Sequence, residues 1–206
     1  MTNDTNTSND ALRYDSAGDT GSTDNGRHSI ATYLSDALAL ERHIAQPLQR
    51  QLDMDDTAKF SQAAELISTM KSLTDSHIAN LEKQLDAAGG HAASPVKSAW
   101  SQLIGAGAAA VDSARKTKVS KNLRDDYTAL ALATAGYTML NATALGLGDA
   151  ATAQLAKQHL EDYAPVIVQI SRALPGVVLE ELTLDGETVQ ISAAQIAEQN
   201  TADAWK

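Results

Sequence analysis

Between Asp126 and Asp149 lie 22 residues, YTALALATAGYTMLNATALGLG, without one charged side chain. This stretch limits the fold more than any other part of the chain. At helical spacing Leu130, Ala133, Tyr137, Leu140, Ala144 and Leu147 step by 3, 4, 3, 4, 3. That is the inner stripe of a helix packed among other helices. The flanking Leu132, Ala135, Thr138 and Leu145 are uncharged too, so cover on more than one side is expected. The stretch has the length of a membrane span. Four threonines, Asn141 and three glycines dilute it, acidic residues bound it, and a span needs no seam. The expected structure is a central helix in a water-soluble bundle, with no membrane partner.

Three other segments repeat the pattern. Ile30, Leu34, Ala37, Glu41, Ile44 and Leu48 define a first helix from about Ser29, with Pro47 expected to kink it or end it early. Met54 to Thr57 reads as a turn. Phe60, Ala63, Ile67, Met70, Thr74, His77, Leu81 and Leu85 define a second helix, stopped by Gly89-Gly90. Ala153, Ala156, Leu160, Tyr163, Ile167, Ile170 and Leu174 define the fourth, with Pro165 inside it and Leu174-Pro175-Gly176 as its end.

A long connection over residues 91–121 separates the second helix from the uncharged one. In it, Ser94-Pro95 opens a short amphipathic helix carrying Trp100 and Leu103. It ends in a basic cluster that includes Lys118, Lys121 and Arg124. That cluster reads as a solvated helix start, or else as a patch for an anion or a partner.

Residues 1–28 are Asn, Asp, Thr, Ser and Gly with little to bury, and read as a disordered tail. After 174 the period changes. Asp185-Gly186 between alternating segments signals a β-hairpin, followed by a short helix capped by Ser192. The predicted domains are therefore a tail at 1–28, an all-α bundle at 29–174 and a hairpin-helix appendage at 175–206.

The formal charge is −10 and there is no cysteine. The first disfavours nucleic acid held through a broad basic face. The second excludes disulfides, thiolate metal sites and cysteine nucleophiles. No signal-peptide pattern opens the chain, and the expected location is the cytoplasm.

Two helices joined by a tight turn, a long crossover, then two more helices joined tightly: this order resembles the ferritin-like superfamily. Within it, the chain looks similar to the small bacterial stress-associated bundle proteins and to the rubrerythrin and bacterioferritin relatives. Glu41 on the first stripe and the run from Ser76 to Glu82 (SHIANLE) on the second carry the resemblance. It covers about residues 29–174 and implies a stress-related role, a homodimer and a di-iron or di-manganese centre. Such a centre takes one Glu from each of two helices and Glu-x-x-His from each of the others.

This chain departs from that pattern. Thr74 stands where the Glu three residues before His77 would be. The third helix offers Leu130 and Ala133 inward and no ligand at all. His159 and Asp162 have the right spacing in reversed order, beside the apolar stripe. The dinuclear centre is expected to be lost. Glu41 and His77 are then expected to pair with each other, or with Tyr137 and Thr74, inside the bundle. A paired buried group specifies register more than it adds stability. The leading expectation is a non-catalytic binding or assembly module without cofactor. The alternative is an oxidoreductase with a single iron or manganese held by Glu41, His77 and Asp162 or His159.

Overall fold

A computed structural model describes residues 20–90 and 118–205. Five α-helices occur among them: α1 (Thr20–Leu52), α2 (Ser61–Ala87), α3 (Val119–Gly146), α4 (Ala150–Leu184) and α5 (Ala193–Ala204). There is no strand among the described residues. The disordered reading of residues 1–19 and the short helix in the crossover lie outside them.

The four long helices close around one core. α1 packs along α2 and α3, and α4 along α3 and α2, while α2 and α3 barely touch. Gln51 near the end of α1 meets Asp126 near the start of α3, and Gly26 near the start of α1 faces Leu147 beyond the end of α3. These two helices therefore run antiparallel. Leu34, Leu48, Ile67, Met70, Leu81, Leu130, Leu140 and Ile170 are fully enclosed, each worth about 1.5–3 kcal/mol of burial. Among the described residues no helix is long and apolar enough to cross a membrane, the uncharged stretch included.

The seam of α3 is buried from Leu130 to Ala144, but Leu147 is exposed because the helix has ended. Gly148 stops it at φ 74, where a side chain would be strained. The amide of Asp149 then reaches back to the Ala144 carbonyl at 2.8 Å. Asp149 also caps α4, its carboxylate accepting from the Thr152 amide at 3.0 Å and the Thr152 hydroxyl at 2.7 Å. Three residues thus reverse the chain between α3 and α4.

The three prolines among the described residues end no helix. α1 continues past Pro47, and α4 contains both Pro165 and Pro175. An interior proline costs about 3 kcal/mol. Leu48 and Gln51 beyond Pro47, and Val166, Ile170, Val177 and Glu181 on α4, are buried, and this packing outweighs the lost hydrogen bonds. α1 also starts earlier than Ser29, at Thr20, and α3 starts at Val119, ahead of Arg124.

The expected C-terminal β-hairpin is replaced by helix. α4 runs through Val178 and Leu182 to Leu184. Asp185-Gly186 is its stop: Gly186 has φ 88, and the Glu187 amide donates to the Leu182 carbonyl at 3.0 Å. A left-handed glycine serves a hairpin turn and a helix terminus equally well. Burial of Val177 and Glu181 decides for the helix. The Glu181 carboxylate accepts from the Ser120 amide at 2.9 Å and from the Ser120 hydroxyl at 2.5 Å. It thereby satisfies free donors in the first turn of α3. α5 packs on α4 without burying any residue completely.

Candidate functional site

Glu41 sits on the apolar stripe of α1 and is 1% exposed. An ionised carboxylate there needs several donors, and three other helices supply them. The Tyr137 hydroxyl on α3 donates to Oε1, and the Tyr163 hydroxyl on α4 donates to Oε2, each at 2.5 Å. His77 Nδ1 on α2 lies 3.1 Å from Oε1. Thr74, one turn before His77, is 2.9 Å from the Tyr163 hydroxyl. Since that phenol already gives its proton to Glu41, Thr74 is the donor. Burial, then the Glu41 charge, pushes both tyrosines well above the ordinary phenol range, so they stay protonated and keep donating.

The other ring nitrogen of His77, Nε2, is 3.1 Å from Asp162 Oδ2. Asp162 is partly exposed, and its Oδ1 accepts from the Gln158 amide at 2.9 Å. One imidazole therefore bridges two carboxylates. An imidazolium donates to both; a neutral ring donates to only one. His159 stacks on His77 with centroids 3.7 Å apart and planes 14° apart, and Tyr137 meets its edge. Burial, then the charge of His77, lowers its pKa from 6.5 to about 3. Both of its ring nitrogens are buried without a hydrogen-bond partner among the described residues.

The structure thus brings Glu41, Thr74, His77, Tyr137, His159 and Asp162 into one cluster. His159 lies on the buried face of α4, not beside it. The stripe runs Ala153, Ala156, His159, Tyr163, Val166, Ile170, while Leu160 and Ile167 are only half-buried. The chain's reading as a sequence missed Tyr163 as a polar partner, because tyrosine passes for an apolar residue in a seam. Its phenol at the level of Glu41 was the available signal.

The donor set does not fit a dinuclear metal centre. The two edges of the His77 ring point in different directions, and each is committed to a different carboxylate. Each Glu41 oxygen already accepts from a phenol. Among the described residues no group of three His, Asp or Glu side chains is arranged to hold a metal ion. The space beside Glu41, bounded by Tyr33, Leu40, Gly136 and Tyr137, is about 20 Å³. That suffices for one water, far below the roughly 300–1,000 Å³ of small-molecule pockets.

Residues 29–183, most of α1 through nearly all of α4, match a family model described as a domain of unknown function, DUF892. The chain belongs to the DUF892 family. The cluster just described lies wholly within the matched segment. No curated protein matches the sequence. Among solved structures, a crystal structure of a protein from Xanthomonas campestris pv. campestris is similar, with a TM-score of 0.61 at 16% identity. The match covers 79% of this chain and 99% of that one. At this identity the likeness is one of fold, and the DUF892 assignment carries no activity with it.

Proposed function

We propose that this DUF892 chain is a ferritin-like four-helix bundle in which a hydrogen-bond network stands where the resemblance would put two metals, and that it works as a non-catalytic binding or assembly module. The helix order and the pairing of α1 with α2 and of α3 with α4 support the bundle. One observation carries the loss of chemistry. Glu41, the acid that would ligate metal, has both oxygens taken by Tyr137 and Tyr163 and a further contact to His77. A cation there would have to compete with two phenol donors and with His77 for this carboxylate. The stress-related role, the cytoplasmic location and the homodimer come from the resemblance alone.

Elemental analysis of protein purified after growth in iron and manganese tests this reading, with no stoichiometric metal expected. Stoichiometric iron or manganese that disappears in Glu41→Gln would overturn it. Light scattering tests the dimer, and a gel shift at low salt tests the expected indifference to nucleic acid. A second reading, a single-metal oxidoreductase site, draws on the two unpartnered ring nitrogens of His159. It requires metal that is lost in His159→Phe.

A further inference from the structure

A groove of about 690 Å³ opens where the start of α3, the last third of α4 and α5 meet. Its walls are apolar: Tyr127, Leu174, Val178, Leu179, Ala197 and Trp205 line it. Three hydroxyls along it are already engaged in hydrogen bonds. Ser171 donates to the Ile167 carbonyl, Thr201 to the Ala197 carbonyl, and Ser120 to Glu181. Trp205 is 74% exposed and Val178 39%, so large apolar surfaces face water here. α5 adds only small residues, Ala193, Ala194, Ala197 and Thr201, which keep the groove wide.

The two charged residues that line the groove are both cations and lie on one wall, with the Glu181 carboxylate behind them on Ser120. Lys121 and Arg124, one turn apart on α3, both border it. Lys121 makes no ion pair among the described residues. Arg124 uses Nε and one terminal nitrogen on its neighbour Asp125, and its other terminal nitrogen has no partner among the described residues. The Tyr127 hydroxyl beside them also has no partner among the described residues. In a chain of charge −10, two cations and a free phenol at one side of an apolar groove are a local exception. An apolar body with one anionic end complements that layout.

We propose that this groove binds a long-chain fatty acid, its carboxylate against Lys121, Arg124 and Tyr127 and its hydrocarbon chain along Leu174, Val178 and Trp205. An uncharged chain matches the walls, and a single carboxylate matches the rim. An acidic helix would bring many polar groups to walls that offer them no hydrogen bonds. The site lies at the opposite end of α4 from Asp149 and is separate from the Glu41 network.

Full-length protein carrying Trp100→Phe leaves Trp205 as the only tryptophan reporter. Titration with sodium palmitate below its micelle concentration should shift Trp205 emission to the blue, saturating at one equivalent. Lys121→Glu with Arg124→Glu should weaken binding about tenfold or more, an interval of about 1.4 kcal/mol. Val178→Glu should abolish it. These three side chains lie at the surface, and unchanged thermal melts confirm that the variants fold. Hexadecylamine, with the head charge reversed, should bind the parent protein more weakly than palmitate. Absence of a saturable emission change would overturn the proposal. So would equal affinity of the charge-reversed variant. Light scattering showing a dimer without palmitate that Val178→Glu dissociates would assign the groove to a second copy of the chain and overturn it as well.

Discussion

Two polar clusters are buried between the same helices, α1 and α3, and they are built differently. In the middle, Glu41 is held by Tyr137, Tyr163 and His77, and none of its oxygens lacks a partner. At the end nearest the α1–α2 turn, Gln51 donates to Asp126 Oδ1 at 2.9 Å. There Asp126 Oδ2, Gln51 Oε1, Thr57 Oγ1 and Asn122 Nδ2 are buried without partners among the described residues. Burial, followed by the nearby Asp125 charge, raises Asp126 to about 7 against the hydrogen bond from Gln51. The lesson is that burial alone does not fix the state of an acid. The supply of donors does: three helices bring donors to Glu41, and a single amide serves Asp126.

The largest test of this contrast is Glu41→Ala. It leaves the Tyr137 phenol and one imidazole edge buried and unpaired and Tyr163 with Thr74 alone, and removal of one partner from a buried charged network costs about 3–5 kcal/mol. Urea unfolding at neutral pH should show that loss, with Glu41→Gln intermediate because the amide still accepts at one oxygen. A loss below about 1 kcal/mol for Glu41→Ala would mean that the network is not held together by this carboxylate.

Asp126 should give the next largest effect, with a pH signature. Its folded pKa, about 7, lies above the ordinary 3.8. The protonated acid is therefore favoured by folding. Its contribution is complete below pH 3.8 and is lost as pH rises through about 7. Stability followed by denaturant midpoint should fall across that window, by an amount on the order of 2–4 kcal/mol. Asp126→Asn should flatten the fall and be the more stable protein at pH 8. A parallel slope in the variant would remove Asp126 as the cause.

His159 supplies the opposite sign. Its pKa is lowered from 6.5 to about 3, so its contribution is present above pH 6.5 and is lost as pH falls through about 3. His159→Phe keeps the ring and removes two unpartnered nitrogens. It should be neutral or stabilising by up to about 1–2 kcal/mol at pH 5, read from thermal melts. A clear loss of stability would mean that those nitrogens have partners in solution.

Glu41, His77 and the α3 seam were legible because each interrupts or fills a regular apolar stripe. The pairing of Glu41 with His77 follows once their helices are neighbours. Tyr163 was not legible as a donor, since the 3–4 pattern counts a tyrosine as apolar. Gln51 and Asp126 stand near helix ends, where polar side chains are ordinarily solvated, and nothing local marks them as buried. The C-terminal end of α4 was misread for another reason. Leu174-Pro175-Gly176 and Asp185-Gly186 are strong local signals, yet Ala173, Val177 and Glu181 continue the buried stripe at spacings of four. Tertiary packing outweighed the local preference there, and the same extension lets Glu181 cap α3.

The smallest expected effect comes from Arg42, beside Glu41 in sequence. Its guanidinium donates to Glu82 at 2.7 Å, so it ties α1 to α2 just as Glu41 does through His77, and over a shorter distance. The difference is water. The Arg42 and Glu82 side chains are 46% and 42% exposed, whereas those of Glu41 and His77 are 1%. Exposed pairs of this kind contribute about 0.2–1 kcal/mol and are screened by salt. Arg42→Ala should therefore shift the urea midpoint slightly, and the shift should shrink in 0.5 M salt. The Glu41→Ala loss, arising in a site that ions do not enter, should persist there. If the two losses were instead equal and equally sensitive to salt, Glu41 would be solvated in solution, and the contrast between a donor-saturated interior and the exposed Arg42–Glu82 pair would fail.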